Sequence, residues 1–206
     1  MSDEIKTPIV LRPAAPDFQE GLAFARYADE VADGFFGVML GSRAHEIVAT
    51  AYAETGHDLS YQNVTFAERD SVIVGMTLAY SAEQHRQSSR KPLFQAAGWN
   101  KLRLVVVSTV FAPMMRIVDS MGDKDYYLQT IAVDEALRSE GVGTILMDAY
   151  EEDARAKGST RLALDVFGEN NRARQFYERR GWTIESQWPK RFKIPSLKFY
   201  RMTKDL

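Results

Sequence analysis

The chain has 206 residues, 45% of them hydrophobic and 26% charged, with 26 Lys or Arg against 28 Asp or Glu. That balance excludes general disorder, and a net charge of −2 leaves no overall positive excess with which to hold nucleic acid by counterion release. No cysteine is present, which excludes disulfides, thiolate metal sites and cysteine nucleophiles, and the three histidines, His45, His57 and His85, are too scattered for a histidine-rich metal centre.

Area scaling for this length buries roughly 70% of the unfolded chain's surface, enough for one sizeable core. With no internal repeat and no low-complexity linker, a single domain over 1–206 is expected, with an insertion at about 82–124. Met1 to Thr7 is polar and lacks the apolar centre of a signal peptide, so a cytoplasmic location is the default expectation. The apolar run Leu104 to Met115 falls well short of the ~20 residues a membrane span needs, so no membrane, nucleic-acid or metal partner is expected.

In chain order, Ile9 to Leu11 reads as a short strand closed by Pro13 and Pro16. Asp17 then caps a helix to about Ala32, whose apolar stripe runs through Phe18, Leu22, Phe24, Ala25, Ala28 and Val31. Asp33 to Gly41 reads as a frayed helix end or a mobile apolar loop, and Ser42 to Thr55 as a helix stopped by Gly56. Tyr61 to Glu68 and Ser71 to Ser81 form a hairpin about Arg69-Asp70. Ala82 to Lys124 is ambiguous, with helix expected around Lys91 to Ala97 and from Trp99 onward. Tyr126 to Val133 is a strand, Gly141 to Lys157 a helix, Arg161 to Val166 a strand and Asn171 to Arg180 a helix. Trp182 to Ser186 and Lys198 to Thr203 complete a mixed α/β fold. Asp148, Glu151, Glu152 and Asp153 read as a solvated helix face.

Two segments carry chemistry. The first, Arg138-Ser139-Glu140-Gly141-Val142-Gly143, lies between a strand and a helix. Glycines there allow close backbone approach, and the free amides of a helix start, continuing to Thr144, favour an anion such as a pyrophosphate. It is not the dinucleotide fingerprint, because Leu146 stands where the third glycine belongs; by itself such a segment is more often a tight turn. The second is Asn170-Asn171-Arg172-Ala173-Arg174-Gln175-Phe176-Tyr177-Glu178-Arg179-Arg180-Gly181-Trp182.

This second stretch resembles the N-x-x-A-x-x-Φ-Y-x-x-x-G-Φ motif of the GNAT family of N-acetyltransferases, with Asn170, Ala173, Phe176, Tyr177, Gly181 and Trp182 fitting. Leu128 to Val133 followed by Arg138-x-x-Gly141-x-Gly143 is similar to the family's acetyl-CoA strand and loop. The two in order cover roughly Tyr126 to Trp182, with one departure at Ser139, where many members carry a further glycine. The resemblance implies an acyl-CoA N-acyltransferase fold, a central mixed, mostly antiparallel sheet flanked by helices, in which the strands Leu128 to Val133 and Arg161 to Val166 splay apart. It implies acetyl-CoA as cosubstrate, transferred directly to an amine, with amides near Ile131, Ala132 and Val133 donating to the thioester oxygen. Ten Lys or Arg against two Glu between Arg172 and Lys204 suit an anionic cofactor.

By the same resemblance Tyr177 is the acid that protonates the departing thiolate; a packed helix tyrosine is the plain alternative. Asn170 binds the cofactor or caps its helix. Asp165 is the candidate base, against the alternative of a carboxylate paired with an arginine, and Asp119, Asp123, Asp125 and Glu169 are further candidates. Phe35 to Leu40 and Leu93 to Met115 form an acceptor pocket, core or a homodimer contact. The acceptor is a small-molecule amine or a peptide amine, and a non-catalytic acyl-CoA sensor of the same fold is the rival reading.

Overall fold

The computed structural model describes residues 7–112, 120–189 and 198–206. Among these, seven strands form one sheet in the order β1-β2-β3-β4-β5-β7-β6. The strands are β1 Val10–Pro13, β2 Val64–Arg69, β3 Val72–Ser81, β4 Asp125–Val133, β5 Arg161–Phe167, β6 Thr183–Trp188 and β7 Phe199–Asp205. Every neighbouring pair is antiparallel except β4 and β5. That one parallel pair needs a crossover, and the helix Val142–Ala156 supplies it. The expected mixed, mostly antiparallel architecture is the one observed.

Numbered in chain order, the helices are α1 Phe18–Val31, α2 Phe35–Leu40, α3 Ala44–Tyr52, α4 Ala82–Gln87, α5 Lys91–Ala97, α6 Lys101–Val110, α7 Val142–Ala156 and α8 Asn171–Glu178. Asp17 caps α1, its carboxylate accepting from the amides of Gln19 and Glu20 at 2.8 and 3.0 Å. The hairpin turns on Asp70 and Ser71, both at positive φ (52° and 63°), as a two-residue turn matched to strand twist requires. Ser81 and Gln84 close a reciprocal capping box that starts α4 directly out of β3.

Asp33 to Gly41 is neither a frayed end nor a loop: it contains α2. Phe36, Met39 and Leu40 bury against α1 and α3, and the amide of Phe36 donates to Asp29 at 2.9 Å, so packing and a remote cap stabilise a helix that three glycines disfavour locally.

Period-two alternation divides the core between the two faces of the sheet. On one face Val64, Phe66, Met76, Leu78 and Ala132 meet α1, α2 and α3. On the other Tyr126, Leu128, Leu162, Leu164 and Val166 meet α7 and Tyr177 of α8. Glu151 departs from the expected solvated face of α7: it is buried, taking Lys204 at 2.8 Å and Arg180 at 3.3 Å.

Candidate active site

The site forms where the sheet opens. The β4–β5 ladder runs only from Asp125↔Arg161 to Leu128↔Leu164, although both strands continue beyond it. Past that point β4 still pairs with β3, through Thr130↔Leu78 to Val133↔Gly75, while its other edge has no strand partner among the described residues. The β3–β4 register skips Gln129, so a bulge sits at the point of divergence, and Tyr80 donates to Oε1 of Gln129 at 2.8 Å. Main-chain groups alternate between the two edges of a strand, so Ile131 and Val133 offer theirs toward the gap while Ala132 is turned to β3, the splay that the resemblance implies.

The segment Arg138 to Thr144 closes one end of this gap. Ser139 takes φ 75° and Gly141 φ 90°, and Gly141 caps α7 without any side-chain hydrogen bond. The amides of Ser139, Gly141, Val142 and Gly143 have no main-chain acceptor among the described residues, whereas that of Thr144 already donates to Gly141 O at 2.9 Å. Four such donors at the start of a fifteen-residue helix are the arrangement that an anion site needs. Arg138 holds the turn in place, donating to Val133 O at 3.2 Å and pairing with Glu30 at 2.7 Å, and Glu140 is tied to Arg69 at 2.9 Å. A side chain on Gly143 would contact Phe176 and Val133 at 3.8 and 3.9 Å, so the loop, α8 and β4 converge there.

From α8 come Asn170, Ala173, Phe176 and Tyr177. The Asn170 side-chain oxygen accepts from the Ala173 amide at 3.0 Å, which gives it the capping role. Phe176 packs its ring edge-on to Tyr177 at 5.5 Å. Tyr177 is buried beside Trp182, yet its hydroxyl has no hydrogen-bond partner among the described residues. Burial pushes its phenol pKa well up, so it is held protonated, and it acts electrostatically on both Tyr127 and Tyr150. Tyr127 lies on the other face of the sheet, packed with Tyr80 and Ala163.

Asp165 lies on that other face, as the alternation about Ala163 requires. Both of its oxygens are taken: Arg201 of β7 forks onto them at 2.8 Å each, and the Tyr127 hydroxyl donates at 3.0 Å. Side-chain exposures of 5% for Arg201 and 8% for Asp165 make this a buried ion pair. To collect a proton, Asp165 would have to loosen a bidentate contact and leave Arg201 uncompensated. Asp125 is similarly engaged with Arg161 at 2.6 Å, Asp123 is exposed and pairs with Arg86, and Asp119 lies outside the described residues.

The basic run from Arg172 to Lys204 divides. Arg180, Arg201 and Lys204 pair with Asp148 or Glu151, Asp165 and Glu151 respectively. Arg172 instead reaches the phosphate-type loop, donating to the Ser139 hydroxyl at 3.2 Å. Sequence reading passed over Gln129, Tyr127 and Arg201. The parity of β4 could have drawn attention to Tyr127, but no local signal pairs Arg201 with Asp165, thirty-six positions away.

A parallel strand pair that opens beside a bulge, next to an uncapped helix start, suits an extended, anion-bearing acyl carrier. The sequence matches the acetyltransferase (GNAT) family over residues 29–182. The chain belongs to that acetyltransferase family. Its fold is similar to that of a crystallised acetyltransferase with a TM-score of 0.67 and 23% identity, covering 95% of this chain and 98% of that one. It is also similar to an N-acetyltransferase from Staphylococcus aureus Mu50 (TM-score 0.65, 16% identity, coverage 95% and 100%). A third similar structure is a GNAT-family acetyltransferase from Streptococcus pneumoniae (TM-score 0.57, 18% identity, coverage 97% and 99%). No curated protein sequence matches the chain.

Proposed function

We propose that the protein acetylates a primary amine, on a small molecule or a peptide, using acetyl-CoA. The observation that carries this reading is the end of β4–β5 pairing at Leu128 and Leu164, which leaves a main-chain edge beside the core cluster in which Tyr177 packs with those two leucines. Bound acetyl-CoA supplies the acetyl group as an activated thioester.

The chain's own residues have three tasks. The amides of Ser139, Gly141, Val142 and Gly143 hold phosphate oxygens, with Arg172 beside them. The free edge of Ile131 to Val133 aligns the carrier's arm and presents N–H donors where negative charge develops on the acyl oxygen. Tyr177 holds a proton at its phenol oxygen for the departing sulfur. Asp165 acts through its pair, holding Arg201 and Tyr127 beneath the opening; the incoming amine loses its proton to another group or to water.

The test is to incubate the purified protein with acetyl-CoA and a panel of amines and peptides, following free-thiol release and product mass. Acceptor-dependent thiol release with a 42 Da gain, as acetyl-for-hydrogen exchange requires, is expected; coenzyme A binding without it across the panel supports a non-catalytic sensor. Tyr177→Phe should keep coenzyme A affinity and lose on the order of 10²-fold or more in the chemical step. An unchanged single-turnover rate would remove Tyr177 from the acid role.

A further inference from the structure

Helix α6 has two apolar faces, and only one of them has a use in the fold. Leu104 is buried in the core, where α6 packs on α2 and α5, with Val107 packed beside it. Leu102, Val105, Val106 and Val110 stand at i, i+3, i+4 and i+8, a spacing that aligns them on a single face at 3.6 residues per turn. That face is open: Leu102 is 73% and Val110 68% exposed, and Trp99, just before the helix, is fully exposed.

The charge around the stripe has one sign. From Gln84 to Val118 the sequence contains no Asp or Glu but six Lys or Arg, in a chain whose net charge is −2. At 100° per residue, Lys101 and Arg103 flank the stripe on either side. Arg103 donates to Val38 O at 2.9 Å, yet neither it nor Arg90, Lys91 or Lys101 has a carboxylate partner among the described residues. An apolar ridge bearing an exposed tryptophan and bordered by uncompensated cations fits an interfacial helix, whose apolar side enters the acyl boundary while Lys and Arg reach the headgroups.

We propose that the outer face of α6, together with Trp99, lays this protein on an anionic lipid surface. A second copy is the poorer occupant: a two-fold contact through this face brings the same cations together with no acidic residue in the segment to offset them. A polypeptide is also a poorer fit, because seven of the ten α6 residues are exposed, which makes the face a convex one. The lack of a helix long and apolar enough to cross a membrane concerns spanning and leaves surface attachment open.

The test sediments the full chain with vesicles of phosphatidylglycerol and phosphatidylcholine, or of phosphatidylcholine alone, at low and high salt. The expected result is binding to the anionic vesicles that falls with salt, with a blue shift in emission that Trp99→Phe removes. Val106→Glu, a change at an exposed position, should weaken partitioning on the order of tenfold while leaving thermal unfolding unchanged. The proposal is overturned if the protein stays in the supernatant with anionic vesicles at low salt, or if Val106→Glu binds as well as the parent. It is also overturned if light scattering shows a dimer that Val106→Glu converts to monomer, which would assign the face to a second copy.

Discussion

Asp165 and Arg201 show how one contact changes the meaning of a residue. On the strand, an acidic side chain facing away from the apolar row reads as a base; in the fold it is half of a buried ion pair. Removing one member leaves the other charge uncompensated, so Asp165→Asn should cost about 3–5 kcal/mol in urea unfolding, and Asp165→Leu combined with Arg201→Met far less. The same Asp165→Asn variant, assayed well below its unfolding midpoint, should keep the ascending low-pH limb of the pH–rate profile; its disappearance would return Asp165 to the role of base. Gly141 is a second case. At φ 90° with no atom near the position of a Cβ, Gly141→Ala meets no neighbour, and its cost is the strain of a left-handed backbone on a residue with a side chain. A loss of about 1 kcal/mol in stability is expected, together with weaker coenzyme A binding by calorimetry because the amides turn away.

Among elements, the contact of α1 with α3 depends on a missing side chain. A Cβ at Gly21 would lie 2.8 Å from Ala49 O and 3.0 Å from Ala49 Cβ, so the two helices approach backbone to backbone. Gly21→Ala must push them apart, and a loss of about 1–3 kcal/mol in denaturant midpoint is expected in spite of alanine's higher helix propensity. Most elements were legible from spacing and caps: Asp17 starts α1 as read, and the hairpin turns at Asp70-Ser71, one residue on from the Arg69-Asp70 centre. Those that were not, α2 and α4, owe their form to partners remote in sequence or to a side-chain cap that periodicity does not register.

At the scale of the whole molecule, buried phenols make the fold sensitive to alkali. Tyr27, Tyr52, Tyr126, Tyr127, Tyr150 and Tyr177 all have their pKa raised above the ordinary value of 10, burial being the largest cause in each. A group whose folded pKa is raised stabilises fully below its unfolded pKa, and that contribution is lost as pH rises toward the folded value. Stability should therefore fall steeply above about pH 10, by up to about 1.4 kcal/mol per pH unit for each buried phenol, with most of the tyrosinate absorbance rising together with unfolding and only an early fraction, that of Tyr200, before it. For the same reason ionisation of Tyr177 should impose no loss of activity below pH 10.

The sequence by itself determined the strands and all the helices but α2 and α4, the loop from Arg138 to Gly143 and the α8 motif that ends in Gly181-Trp182, because periodicity, capping and glycine placement are local properties of the chain. Only the tertiary structure decided that β4 and β5 part after Leu128 and Leu164, that Arg201 occupies Asp165, and that Glu151 is buried under Lys204. Each of these depends on the register between segments far apart in sequence. Register follows from how whole faces pack, and no residue carries it alone.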